Sequence, residues 1–256
     1  MRLHRAVLAL GICAAGCAGV QEDMPVTPSK SATPRVDAEK KRIELPGLVI
    51  NRRARYVDVA ARVCLREGTL ELVASTRAGK VHESIVSVDA RPAHIHTALL
   101  LLGANPGNPA MRKRAADRWV DVPPRGSAID VFLLYEDESG KQIERPIRDF
   151  ITRAGVEPAE AKKKANRFPT HTFLFAGSRV VDWGEGNKPY VCDLSGNVIS
   201  LSTFGDELLC LPGVHGHANA SLLWQVDPTH LPALGTKLTL RLRPHNGGKE
   251  KRDGGR

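Results

Sequence analysis

Three histidines and a glutamate stand close together in the stretch KVHESIVSVDARPAHIHTALLLLGANPG, which covers residues 80–107. His82, Glu83, His94 and His96 are side chains of the types that bind zinc. His82 and Glu83 are neighbours in a predicted strand, so their side chains face opposite sides. In a predicted helix, His94 and His96 lie about 200° apart around the axis. At most a subset of the four side chains can therefore meet at one point.

A second histidine pair, His215 and His217, stands in the segment PGVHGHANA. In extended backbone, residues two apart point to the same side and could hold a metal ion together. The alternative is that both are solvated in a glycine-rich loop. The chain has no H-E-x-x-H, G-x-S-x-G, P-loop or G-x-G-x-x-G motif, so the sequence names no reaction and leaves open whether the protein is an enzyme.

The N-terminus MRLHRAVLALGICAAGCAG has the pattern of a secretory signal, with two arginines before a short apolar run. That run is too short to span a bilayer comfortably. Small residues directly before Cys17 resemble a bacterial lipobox, which predicts lipidation of Cys17 and anchoring to a membrane. The alternative is an ordinary signal peptide that is cleaved near Ala18 or Gly19. Residues 18–40 are polar and predict a flexible tether, and residues 246–256 predict a disordered basic tail.

Removal of Cys13 and lipidation of Cys17 leave three cysteines, so at most one internal disulfide can form. Cys192 and Cys210 flank a predicted hairpin and are the candidate pair. The alternative is that all three are buried and reduced. Because the chain has no C-x-x-C motif, an iron–sulfur cluster is not expected.

The charge pattern bears on possible partners. The 256 residues carry a formal net charge of +9, and the surplus is scattered along the chain. No basic run is interleaved with aromatic residues, so nucleic acid is not an expected partner. Arg145, Arg148 and Arg153 could hold an anionic ligand, or they could form a solvated face.

Hydrophobic periodicity predicts an α+β domain over residues 41–245, with mostly antiparallel strands. One buried helix is expected at about residues 92–102, between Pro92 and Gly103. Alternation from Ile129 to Tyr135, followed by a turn at Ser139–Gly140, predicts a hairpin. Residues 108–119 predict a short exposed helical piece, and residues 147–155 and 158–167 predict short exposed helical or loop pieces.

Several motifs together resemble the YdjY-domain family of exported bacterial proteins. They are KVHES with the following apolar helix, RPIRDFI, FLFAGSRV, YVCDLSGNVISLSTFGDELLCLP and GTKLTLRLRP, in that order. The resemblance implies an exported domain without an established biochemical activity. It also places His82 and His96 in the most specific stretch, which makes these two, with Glu83, the expected polar or metal cluster.

The expected function is therefore that of an exported, lipid-anchored protein of the cell membrane or outer membrane, facing the periplasm or the exterior. Its role would be non-catalytic binding or structure, with an envelope protein or an anionic ligand as partner. The alternative is a metal-dependent enzyme or metal-binding protein that uses His82, Glu83 and His96. The first interpretation expects no cofactor, and the alternative expects a divalent transition metal, which these residue types could bind.

Overall fold

A computed structural model describes residues 35–37, 42–156, 158–161, 163–216 and 222–245. The predicted signal peptide with Cys17, the predicted tail and His217 lie outside the described residues. Within the segment predicted as a tether, Arg35–Asp37 form a strand that pairs with Arg42–Glu44.

The described part of the chain is built mainly of strands. In chain order they are β1 Arg35–Asp37, β2 Arg42–Leu45, β3 Leu48–Asn51, β4 Tyr56–Val63, β5 Leu72–Thr76, β6 Ser84–Val88, β7 Pro106–Asn108, β8 Met111–Ala115, β9 Arg118–Val122, β10 Arg125–Gly126, β11 Ala128–Glu136, β12 Gln142–Pro146, β13 Ile151–Arg153, β14 Thr172–Phe175, β15 Asn197–Ser200, β16 Leu209–Cys210, β17 Trp224–Val226 and β18 Lys237–Pro244. The helices are α1 Pro92–Leu101, α2 Pro158–Ala161 and α3 Val191–Ser195, with 3-10 turns at Val81–Glu83, Ile147–Phe150 and Lys164–Asn166.

Eight of these strands close into a barrel in the order β4-β18-β11-β14-β16-β15-β5-β6. Closure comes from β6, which pairs back to β4 through Ala61↔Val88 and Val63↔Val86. The pairs β5–β6 and β15–β16 are parallel, and the other neighbours in the ring are antiparallel. Alternate residues point inward, so β4 buries Val57 and Val59 in an apolar core that fills the barrel.

The α+β prediction was wrong, because 43% of the structure is strand and only 14% is helical. Residues 108–119, predicted to be a helical piece, contribute to the antiparallel ribbon β8–β9. Residues 147–150 form a short 3-10 helix, where a short helical or loop piece was predicted, but Ile147 and Phe150 are buried rather than exposed. Residues 151–153 form the strand β13. Helix α1 lies where it was predicted, but only one of its faces is buried, by Ile95, Ala98 and Leu99. The predicted hairpin at residues 129–143 is confirmed as β11–β12.

The strand directions define two ends of the barrel. At the first, here called the helix end, β4, β11, β15 and β16 begin, and β5, β6, β14 and β18 stop. Helix α1 follows β6 directly at this end, and its first turn is capped where Asp193 Oδ1 accepts the N–H of Ala93 at 2.9 Å.

The opposite end, here called the cap end, is covered by the two-stranded sheet β13–β17. This sheet is fixed to the barrel where the N–H of Val226 donates to Gly68 O at 3.1 Å, close to the start of β5. Along the barrel wall, residues 77–83 and 201–208 are the crossovers that each parallel pair requires. In the described part of the chain, no helix has the length and apolarity needed to cross a bilayer.

Candidate functional site

The stretch KVHES folds as the crossover between β5 and β6 and forms an ionic cluster on the barrel wall. The Ser84 hydroxyl donates to Lys80 O at 2.7 Å and closes the 3-10 turn at residues 81–83. The Lys80 ammonium donates to the carboxylate of Glu71 and, at 3.3 Å, to that of Glu83. The side chain of Glu71 is only 5% exposed. The cluster therefore ties the crossover to the residue that precedes β5.

Burial and charge act against each other in this cluster. Burial raises the pKa of the Glu71 carboxyl, and the nearby Lys80 only partly offsets this effect. Burial also acts to raise the pKa of Glu83, but hydrogen bonds with Glu71 and Lys80 bring it below its usual value. Lys80 also lies 4.7 Å from the ring centroid of Phe204, on the neighbouring crossover. These contacts hold the two crossovers together, and Glu83 is hydrogen-bonded to Lys80 and Glu71.

The two histidines predicted to pair have different partners. His82 is 74% exposed, and its Nε2 lies 3.9 Å from Glu83 Oε2. His96 Nδ1 lies 2.9 Å from the hydroxyl oxygen of Tyr190, and that hydroxyl donates to Gly177 O. Because a hydroxyl has one proton, His96 Nδ1 is the donor in its bond with Tyr190.

The environment of His96 is that of a packed side chain. Burial lowers its pKa, and its ring packs edge-on against Phe175 at a centroid distance of 4.8 Å. Among the described residues, no group of three or more His, Cys, Asp or Glu side chains is arranged to hold a metal ion. His215 Nε2 is 3.1 Å from Pro212 O, and its predicted partner His217 lies outside the described residues.

The structure has no bond between the two cysteines of the candidate disulfide pair. Cys192 and Cys210 are buried free thiols, and Cys192 Sγ donates to Asn197 O at 3.2 Å. The hairpin predicted between them is wrong: Cys192 lies in helix α3, and the strands β15 and β16 that follow are parallel. Burial raises the pKa of Cys210 to about 12 and that of Cys192 well above its usual value.

A concave charged surface lies at the cap end. An open cavity of about 610 Å³ is bounded by residues 145–151, 164–169 and 227–230. Its cationic lining side chains are Arg145, Arg148, Lys164 and Arg167.

Most of these cations form no ion pair with a described residue. Arg148, Lys164 and Arg167 form no ion pair with any residue in the described part of the chain. Arg145 Nη1 is 3.7 Å from Asp149 Oδ2, and its Nε is buried without a hydrogen bond. A second lining carboxylate, Asp227, accepts bonds from the N–H and hydroxyl of Thr229. The cavity therefore has excess positive charge, and guanidinium groups are well suited to phosphate or carboxylate.

The walls of this cavity are fixed by hydrogen bonds to the barrel. The Tyr135 hydroxyl donates to His230 O at 2.7 Å, and Arg66 Nη2 donates to Pro228 O at 3.3 Å and Leu231 O at 3.2 Å. On the other wall, the Thr152 hydroxyl donates to Asn166 O at 3.0 Å. The backbone that carries the cations is therefore held in place without a ligand.

Sequence reasoning found part of this cavity. Arg145 and Arg148 were two of the three arginines predicted as possible anion ligands, whereas Arg153, the third, is not among the lining residues. Lys164 and Arg167 were missed, although the basic run KKKANR signals them. That run is distant in sequence from Arg145, and only the packing of β13 brings the segments together.

Comparison with known proteins gives the family and no closer relative. The model of the YdjY domain matches residues 48–243, which include all eight strands of the barrel except the last residue of β18. No curated protein and no solved structure is significantly similar to this chain. Since the match covers well over half of the 256 residues, the chain belongs to the YdjY domain family.

Proposed function

We propose that this chain is an exported cell-envelope protein, anchored by lipid at Cys17, whose barrel binds an anionic ligand without chemical change. Export and anchoring are supported by the two arginines, the short apolar run and the small residues before Cys17. The non-catalytic role is supported by the partners of Glu83 and His96, which hold both side chains in structural contacts.

The observation that carries the binding role is the cavity at the cap end. Three cations without ion-pair partners among the described residues, together with Arg145, surround about 610 Å³ of open space. A volume of this size suits a small molecule. The chemistry of the lining favours a ligand that bears phosphate or several carboxylates, since each guanidinium can donate two parallel hydrogen bonds to such a group.

Pyrophosphate is a suitable probe for this cavity. The chain from residue 18 onward is the form to test, because it loses only the predicted signal peptide and Cys17 and keeps every strand of the barrel. Isothermal titration calorimetry at low ionic strength should show saturable binding. The double variant Arg148→Ala/Arg167→Ala should weaken it by about tenfold or more. Arg52→Ala/Arg53→Ala, which removes two exposed arginines from the other end of the barrel, is the control with the same charge change.

Two results would overturn the proposed binding site. One is an absence of saturable binding to pyrophosphate and also to citrate, a tricarboxylate. The other is equal weakening by the cavity variant and by Arg52→Ala/Arg53→Ala, since that result would reflect net charge alone.

Anchoring needs its own experiment. Bacterial cells that express the full chain and are fed labelled palmitate should incorporate the label into the native protein and not into a Cys17→Ser variant. A protein that is processed and exported but unlabelled would show that an ordinary signal peptide is used, and would refute anchoring at Cys17.

A further inference from the structure

The ribbon β8–β9 lies between β7 and β10, which pair with each other. It belongs to the helix end of the barrel, because β10 directly precedes the start of β11. Its cross-strand pairs include Arg114↔Trp119 and Lys113↔Val120, and nearly all of its residues are exposed on both faces. Trp119 is 62% exposed. An exposed tryptophan in a two-stranded ribbon contributes nothing to a core, so its environment is solvent or a surface outside the chain.

Positive charge surrounds this tryptophan. Within the described residues, Lys113, Arg114 and Arg118 have no ion-pair partner, whereas Arg112 pairs with Asp121 at 3.0 Å. One exposed carboxylate, Asp117, lies in the turn of the ribbon. Four cations against Asp117 and Asp121 leave residues 111–122 with a net charge of +2 beside the amphipathic ring of Trp119.

A second basic segment lies at the same end. The turn between β3 and β4 carries Arg52, Arg53 and Arg55, all exposed and all without an ion pair to any described residue. It belongs to the helix end because the register pairs Asn51 with Tyr56, the first residue of β4.

Two of the carboxylates that neighbour these segments are paired with cations. Asp89 pairs with Arg77 at 2.6 Å, and Asp193 pairs with Arg91 at 2.5 Å. A further exposed tryptophan, Trp183, lies in the loop that follows β14, and β14 stops at this end. The helix end thus presents uncompensated positive charge together with exposed indole rings.

We propose that the helix end docks on an anionic lipid bilayer, with Trp119 at the level of the headgroups and the basic side chains on the lipid phosphates. Tryptophan and basic residues together are typical of surfaces that lie in a membrane interface. This proposal depends on neither the lipid at Cys17 nor the ligand of the cavity. It leaves the cavity at the cap end facing away from the membrane.

Vesicle sedimentation tests the docking directly. The chain from residue 18 onward, which cannot be acylated at Cys17, should bind vesicles in which about a quarter of the lipid is phosphatidylglycerol and the rest phosphatidylcholine. Binding to pure phosphatidylcholine should be about tenfold weaker, and high salt should reduce binding to the anionic vesicles.

Two triple variants with the same charge change distinguish binding by the ribbon from general electrostatic attraction between the protein and the vesicles. Lys113→Glu/Arg114→Glu/Arg118→Glu should weaken binding by about tenfold or more. Lys141→Glu/Arg153→Glu/Lys237→Glu changes three exposed cations at the cap end and should retain most of the binding. In the native chain, anionic vesicles should shift tryptophan emission to shorter wavelength, and Trp119→Ala should reduce that shift.

Three results would overturn the docking proposal: no binding to the anionic vesicles, equal loss in both triple variants, or tighter binding of single-stranded DNA than of vesicles at the same salt. The ribbon variant should still bind pyrophosphate. Loss of vesicle binding with retained pyrophosphate binding would show that the docking surface and the proposed ligand site are independent.

Discussion

The ammonium group of Lys80 lies against the nearly buried carboxylate of Glu71 and fastens the 77–83 crossover to the start of β5. The same ammonium also donates to Glu83, so one cation pairs with two carboxyl groups that are hydrogen-bonded to each other. The stretch KVHES, which belongs to the part of the sequence that most strongly resembles the YdjY family, therefore has a structural role in this barrel.

Lys80→Met should destabilise the fold, because it leaves two facing carboxylates without their cation. We expect a loss of about 2–3 kcal/mol in the free energy of unfolding. The loss should fall below that of a fully buried pair because the Lys80 side chain is 39% exposed. Urea denaturation at neutral pH measures it.

Two further variants control this measurement. Glu71→Gln/Lys80→Met should recover much of the lost stability, since it also removes the Glu71 carboxylate, which Lys80→Met alone leaves buried without its cation. Lys188→Met breaks the exposed pair with Asp182 and should cost less than about 0.5 kcal/mol. Equal losses for Lys80→Met and Lys188→Met would contradict the structural part assigned to Lys80.

Glu207 should make stability depend on pH. It is fully buried, its Oε2 accepts the N–H of Asp206 at 2.9 Å, and its Oε1 has no partner among the described residues. Burial raises its pKa, so its contribution to stability is present below the unfolded pKa and is lost as pH rises through the folded pKa.

The difference in melting temperature between Glu207→Gln and the native chain should therefore increase as pH rises from about 4 to about 8. Thermal unfolding followed by circular dichroism gives this difference. Glu136→Gln, at the exposed end of β11, is the control for which the two curves should run parallel. A difference for Glu207→Gln that stays constant or falls would show that the native carboxyl is stabilised in its charged form.

The three internal cysteines should be unreactive thiols in the folded protein. Burial raises the pKa of Cys64 to about 11 and that of Cys210 to about 12, so little reactive thiolate is present at mildly alkaline pH. Ellman's reagent should react slowly with the native chain that starts at residue 18 and is prepared without reductant. It should detect three thiols after unfolding in urea. One thiol per unfolded chain would instead indicate a disulfide.

Local patterns in the sequence predicted the local elements well. Pro92 and the apolar run after it predicted α1, and alternation from Ile129 to Tyr135 predicted β11 with its hairpin partner. Barrel closure was missed because it depends on the pairing of β4 with β6, in the register Ala61↔Val88. The hydrophobic periodicity within each strand does not predict which strands pair with each other. The ribbon β8–β9 was also missed, since both of its faces are exposed and it lacks the apolar alternation of a half-buried strand.

The site was harder to predict than the elements. His82 and His96 stood close in sequence, but a crossover and a helix give them separate partners. The cavity joins residues 145–151, 164–169 and 227–230. These segments meet because β13 pairs with β17 and because Thr152 of β13 pairs with Arg167. A site that depends on such distant segments has no compact signature in the sequence.

Binding at the cap end can be mapped most directly by amide chemical shifts. Nitrogen–proton correlation spectra of the chain from residue 18 should be recorded during titration with pyrophosphate. We predict saturable shifts that cluster at Arg148, Lys164, Arg167 and Thr229, with little change at Arg53 and Arg114. Shifts concentrated at the helix end, or an absence of saturable shifts, would contradict the assignment of the cavity as an anion-binding site.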